Sequence, residues 1–484
     1  MKAVSHPHRE RARTLLAAAM LSMLGACASQ PKTLPTAELQ GHWQEAPSSD
    51  LKSLTADGSA AWWQLFDDPT LNQLIQLAQA RNLDLRSAEA VLREARASRE
   101  SARSALLPQL NLEGDFTRGR PLQLGGNLRE SASIGPSASW ELDLFGRLRS
   151  QQRASVAELQ ASMADRDAVR LTVLAEVARS YIEYRLYRVQ HALASKTVEA
   201  QARTARITEL RFGQGMGSRL DVERANSLLA SMRAAVPQAH ELAASAFHRL
   251  VRLTASTPET LEALLPQQVA SDSLPTSDAL SVLLSPTQVL AQRPDVRAAE
   301  RRLVASAATL DATRALRYPQ LTLSSLIGVG VTDTSEIFKS SLSTWSVNAG
   351  LLTPLFDFGR IRAAIDVADA RQEQAYLAYE STVRTALQEA QTALVLYTQG
   401  QLRQTELGRS AEAARKAASL ARSQYAQGLL SMIDVLDAER TLYDAERDWS
   451  SASADVSMRL VNLYQTMGVV PALEPALDPA AQPG

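Results

Sequence analysis

The chain of 484 residues contains a single cysteine, Cys27. One thiol excludes an internal disulfide framework and leaves no dithiol redox pair. There are six histidines, and His6 and His8 lie at the extreme start, so little remains for a metal cluster. Aromatic residues make up only 5% of the chain. Neither charge sign prevails: 51 Lys and Arg face 52 Asp and Glu, a net charge of −1. That balance gives no electrostatic case for nucleic-acid binding. No convergent His, Cys or paired acids occur with usable spacing, so neither an enzyme nor a cofactor is indicated. Beyond residue 27 no apolar run is long enough for a transmembrane helix. Lying on a membrane and crossing it as strands remain open.

The marked apolar stretch is at the start. Residues 1–13 carry Lys2, Arg9, Arg11 and Arg13, and residues 14–24 are mostly Leu, Ala and Met. A basic segment followed by a short apolar one reads as a secretory signal. It ends in Leu24-Gly25-Ala26-Cys27, which resembles a bacterial lipobox, with cleavage between Ala26 and Cys27 and acyl chains attached at Cys27. Such chains anchor by burying CH2 groups in lipid. The next residue is Ala28 and not Asp, a pattern resembling lipoproteins sent on to the outer membrane.

Self-similarity organises the remainder. Asp84, Arg86, Ala88, Glu89 and Leu92 recur as Asp295, Arg297, Ala299, Glu300 and Leu303, an offset of 211. From Phe145 and Phe358 the offset becomes 213 and holds without a gap to Leu229 and Leu442. The change of offset predicts an exposed loop between 110 and 145. The expected organisation is a signal at 1–26, a tether at 27–60, a first repeat at 61–254, a connector at 255–283, a second repeat at 284–470 and a disordered tail at 471–484.

Each repeat reads helix, strand, strand, long helix, helix. A helix is expected from Leu71 to about Leu106. Residues 147–212 contain neither Pro nor Gly, and as a helix they would span roughly 100 Å. The counterpart runs from Arg360 to about Tyr425, with Gly400 and Gly408 as expected weak spots. Charges interrupt the apolar positions, which favours coiled-coil packing. Strands are expected at about 108–117, 131–144, 319–331 and 343–357, because apolar and small polar residues alternate there. Alternation fits either a sheet on a soluble core or a transmembrane barrel. Four strands cannot close a barrel whose lower limit is about eight, so a barrel needs two or more copies.

The ends of the long helices also repeat. Gly215 and Gly428 break them, and Ser218 with Asp221, and Ser431 with Asp434, read as N-caps of return helices. Apolar periodicity is expected to resume at Leu220 and Ile433. Asp434 is adequately explained by a helix N-terminus. Asp437, one turn on, is not, and in a rotationally symmetric oligomer such acids would form a ring able to bind cations. The glycines at 213, 215 and 217 follow a helix and lack a Lys-Ser/Thr pair, which argues against a phosphate loop.

Taken together, "WWQLFDDPTLNQLIQLAQARNLDLRSA" (62–88), "WELDLFGRLR", "QRPDVRAAERRLVASAATLDATRALRYPQLTL" (292–323), "LFDFGRIRAAI" and "DVLDAERTLYDAE" resemble the TolC-like outer-membrane factors, specifically the NodT-type efflux lipoproteins. The resemblance runs from about Trp62 to Gly468. It implies a mainly α fold with a transmembrane β part: a homotrimer, four strands per chain in one twelve-stranded barrel, and a periplasmic α-barrel of antiparallel coiled-coil helices. It further implies a passive exit duct in the outer membrane. A periplasmic adaptor (membrane fusion protein) and an inner-membrane efflux pump of the RND type would be its partners. By motif, Tyr425, Asp434 and Asp437 match gate positions, and Asp221 matches an acid that a gate tyrosine contacts. Leu430 stands where some members have Arg, which predicts a gate closed by Leu430 and Ile433 through apolar contact. A protein-secretion duct and a periplasmic coiled-coil lipoprotein without a pore are the rival readings.

Overall fold

The computed structural model describes residues 61–119, 129–265, 274–276, 285–331 and 343–470. A 3-10 turn at Trp62–Phe66 leads into α1 (Pro69–Arg81) and α2 (Leu83–Ser104). The hairpin β1 (Gln109–Gly119) and β2 (Arg129–Leu142) follows, then the long α3 (Arg147–Gly213), its return helix α4 (Arg219–Thr254) and the short α5 (Pro258–Leu264). The second repeat has α6 (Pro286–Gln292), α7 (Pro294–Ala315), β3 (Gln320–Val331), β4 (Ser343–Leu352), the long α8 (Arg360–Ala426) and α9 (Met432–Thr466). The expectations for Ala26, Cys27, the tether, the tail and the loop tip at 120–128 lie outside the described residues.

The helix expected from Leu71 to Leu106 is two helices. Asn82 breaks it, because its side chain accepts from the amides of Asp84 and Leu85 and thereby caps α2. The same side chain donates to the Leu253 carbonyl in the last turn of α4, at 2.8 Å. The second repeat builds this joint with different chemistry. Arg293, at the offset of 211, precedes α7 and donates to the Thr466 carbonyl in the last turn of α9, at 3.0 Å. Residue 466 is the equivalent of 253 at the offset of 213. Both joints border the main core, where Trp62, Leu74, Tyr181, Leu250 and Tyr464 are buried together.

Each long helix packs along its return helix, and α3 also meets α2, α7 and α9. The seam is rich in alanine, with Ala390, Ala393, Ala411 and Ala418 all buried in α8. α8 runs unbroken through Gly400 and Gly408. A Cβ at Gly400 would come within 2.9 Å of the Arg459 guanidinium, and one at Gly408 within 3.1 Å of the Trp449 indole nitrogen. These glycines admit two large side chains of α9.

The four strands form one antiparallel sheet in the order β1-β2-β3-β4. Four strand ends differ from expectation by two residues or more: β1 runs on to Gly119, β2 begins at Arg129, and two strands end early. β2 stops at Leu142 because Asp143 turns to accept from the amides of Leu148 and Arg149, capping α3. β4 stops at Leu352, two residues before Pro354, which has no amide to offer a ladder. The register brings Leu112, Ile134, Trp140, Leu323, Ile327, Trp345 and Val347 to one face. Asn111, Glu113, Ser133, Ser137, Thr322, Ser324 and Asn348 share the other, with Leu326 and Leu352 as exceptions there. Among the described residues most of the apolar face is left uncovered: Leu110 is 77% exposed, Trp345 75% and Leu351 68%. Among the described residues the sheet does not lie on a core of its own protomer.

Candidate functional site

The candidate site is the pair of turns that end the long helices. In the first, Gly215 has φ 72°, its amide donates to the Phe212 carbonyl, and the Met216 amide donates to the Arg211 carbonyl. Gly428, at φ 74°, repeats this with Tyr425, Leu429 and Gln424. This is the helix ending in which the residue past the cap is left-handed, a conformation that penalises any side chain with a Cβ. Ser218 then starts α4: its hydroxyl accepts from the Asp221 amide, and the Asp221 carboxylate accepts from the Ser218 amide and hydroxyl. At α9 the Ser431 amide and hydroxyl donate to the Asp434 carboxylate. Both aspartates thus hold their helix starts, in the half of the peptide dipole that favours a negative charge.

Packing between the hairpins follows a slightly different phase from the expected one. Leu220 and Ile433 are 57% and 45% exposed. The buried cluster at this end is Ala205, Ala225, Leu229, Ala421, Met432, Val435 and Leu436. Tyr425 is half-buried against it, and its ring receives the Arg211 guanidinium at 4.7 Å from the centroid. The bond between Tyr425 and Asp221 that the resemblance implies is not formed within the protomer among the described residues. Leu430 is half-buried in the second turn. Asp434 and Asp437 are exposed, and Asp437 pairs with Arg440 at 2.8 Å. An ion pair this exposed contributes little and is easily exchanged for another cation.

Sequence reading passed over Glu439. It is 7% exposed, although it is charged. The signal was present: Met432, Leu436, Glu439 and Tyr443 are spaced four, three and four apart, and all four are buried in one seam. Gln201 of α3, 2% exposed, donates its Nε2 hydrogen to a Glu439 carboxylate oxygen. Arg422 of α8 lies 3.9 Å from the other oxygen. Burial pushes the Glu439 carboxyl above the usual carboxylate range, against the opposing pull of Gln201 and Arg422. Arg211 was missed as well, because nothing in a sequence places a guanidinium over a particular ring.

The whole arrangement, two helical hairpins with capped tips and a sheet with a bare apolar face, has close counterparts. The family model described as "Outer membrane efflux protein" matches residues 74–256 and 285–469, one segment on each repeat. The chain belongs to this family. OpmQ of Pseudomonas aeruginosa, a pyoverdine export outer membrane protein, is 32% identical over 95% of this chain and 96% of its own. The cation efflux system protein CusC of Escherichia coli is 30% identical over 85% of this chain and 89% of its own. The open-state structure of the Neisseria gonorrhoeae MtrE outer membrane channel superposes with a TM-score of 0.77, at 29% identity, over 90% of this chain and 98% of that one. As a member of the outer membrane efflux protein family the chain is an exit duct of the outer membrane, mainly helical with four transmembrane strands. In that setting the bare apolar face of the sheet is the face that meets lipid.

Proposed function

We propose that three copies close one twelve-stranded barrel and conduct small molecules outwards, without catalysis. The observation that carries this is the four-stranded sheet with β1 and β4 at its edges and an uncovered apolar face. Exposed edge groups in hydrocarbon are too costly to leave unpaired, so β4 of one copy pairs with β1 of the next until the sheet closes. A pore-less coiled-coil spacer needs no such face. The two repeats, 61–254 and 284–470, each supply one β-hairpin and one helical hairpin, joined by the connector 255–283. A periplasmic adaptor and an RND-type inner-membrane pump supply opening and energy. The cargo is set by that pump: OpmQ and CusC are named for pyoverdine export and cation efflux, yet they resemble this chain almost equally.

The moving part of this duct is the tip region, with Asp221, Tyr425, Leu430, Ile433, Asp434 and Asp437 around its axis. The test is conductance of the purified heat-resistant trimer in planar bilayers. A folded trimer that carries no current would overturn the duct. The acid ring is tested by Asp434→Ala with Asp437→Ala. Half-block by a divalent cation should then need roughly tenfold more cation, equivalent to about 1.4 kcal/mol. Unchanged block removes both residues from the pore.

Cys27 is the lipid attachment site in this reading, and the barrel is the principal anchor. Cys27→Ser behind an ordinary signal peptide should still give membrane-embedded trimers that carry current. A fully soluble product would show that the lipid alone holds the protein.

A further inference from the structure

We infer that Glu439 and Gln201 form a proton-controlled latch between the two helical hairpins near the tip. The geometry is one-sided as it stands. Gln201 spends its amide hydrogen on Glu439 Oε2, while its own Oε1 is buried with no hydrogen-bond partner among the described residues. A buried acceptor without a donor is costly. An ionised carboxylate has no hydrogen to offer. A protonated one does: its O–H donates to Gln201 Oε1 while its other oxygen keeps the amide hydrogen. One proton from solvent thus completes a reciprocal acid–amide pair and removes a buried charge.

The surroundings leave few competitors. From α3 the facing group is the neutral Gln201, and from α8 it is Arg422, at the 3.9 Å limit of an ion pair and donating to the Ala418 carbonyl. On the side of α4 the cluster offers the apolar Ala225 and Leu229. Along α9 itself, Asp437 is turned to solvent with Arg440, and the Tyr443 phenol is buried one turn on. Gln201 belongs to the first hairpin and Glu439 to the second, so the hairpins cannot part at this level without breaking the pair.

The sign follows from linkage. In the joined arrangement the carboxyl is held above its ordinary value, and parting the hairpins returns it to water. The joined form therefore binds more protons between those two values. Acidification through the raised value favours joining, and below the ordinary carboxylate value no further gain follows. The latch extends the reading of the tips as the moving end, but its test does not need the chain to conduct.

Hydrogen exchange of the peptide spanning 432–446, normalised for the intrinsic chemistry of exchange, reports parting directly. In the detergent-solubilised full-length protein, wild-type exchange should slow about tenfold between about pH 7.5 and about pH 4 for each unit separating the joined and parted values. Glu439→Gln supplies the second hydrogen permanently and should exchange slowly at both pH values. Gln201→Met removes the amide while Glu439 stays buried, so exchange should be faster than wild type at both pH values with an acid slowing retained. Wild-type exchange independent of pH, or a Glu439→Gln protein that keeps the wild-type pH response, overturns the latch. Either result leaves the duct reading intact, because conductance is measured separately.

Discussion

Gly135→Ala and Gly328→Ala should each abolish assembly of the membrane-embedded oligomer, whereas Gly350→Ala should leave it unchanged. All three glycines lie in strands and on the polar face of the sheet. The difference between them is distance. A Cβ at Gly135 would overlap the Ile327 carbonyl oxygen and stand 2.5 Å from the Gly328 Cα. One at Gly328 would stand 2.5 Å from the Ile134 carbonyl oxygen. Those obstacles are backbone, so no rotamer relieves them and β2 must separate from β3. Pro136 already denies the ladder one amide at this level. Further lost ladder bonds at membrane depth cost several kcal/mol each. At Gly350 the nearest atom to an added Cβ is 3.9 Å away, which is ordinary contact. The amount of heat-resistant oligomer in outer-membrane fractions checks the set. Equal amounts from all three variants would show that the close approach of β2 and β3 is dispensable.

Arg293→Met should lower the dissociation temperature of the oligomer and cost about 3 kcal/mol. Arg293 is 7% exposed and gathers three elements: Asp295 at 2.6 Å, Glu389 of α8 at 2.7 Å and the Thr466 carbonyl of α9 at 3.0 Å. The two acids are 41% and 46% exposed, so they recover water when the guanidinium goes and account for the smaller part of the loss. The larger part is the Thr466 carbonyl, which is left buried without that donor. Arg293→Lys should recover only part of it, since an ammonium cannot hold a bidentate contact and reach the carbonyl as well. Asn82→Ala tests the equivalent joint of the first repeat, where the Leu253 carbonyl and the α2 cap are lost together. A dissociation temperature unaffected by Arg293→Met would mean that packing of Trp62 on Tyr464 and its neighbours suffices to hold this end of α9.

Much of this architecture is legible because it obeys short periods. Strand alternation, helix length and the Ser-x-x-Asp caps are local rules, and the internal offset doubles the sample of each. The failures are those of long-range contact. Asn82 reads as one more helical residue unless the Leu253 carbonyl is known to be beside it. Gly400 and Gly408 read as weak points unless Arg459 and Trp449 are known to fill the space. The phase of the tip seam was misplaced by a residue or two, from Leu220 to Val222 and from Ile433 to Met432 and Val435, because apolar residues occur on both faces of those turns. Glu439 was overlooked because a charged letter is read as solvent-facing, although its heptad position places it inside. The pairing of strand edges and the ring of tips involve several copies, and one chain's periodicity carries no information about its neighbours.

The bare apolar face has a consequence for the life history of the chain. From the moment its strands form until neighbours and lipid cover them, each copy carries an adhesive sheet through an aqueous compartment. Unpaired edges beside exposed Leu, Val and Trp are the ordinary starting point of aggregation. The supply of new duct is therefore limited by how briefly single copies stay alone. Raising synthesis faster than assembly lengthens that interval and feeds precipitation in place of export capacity.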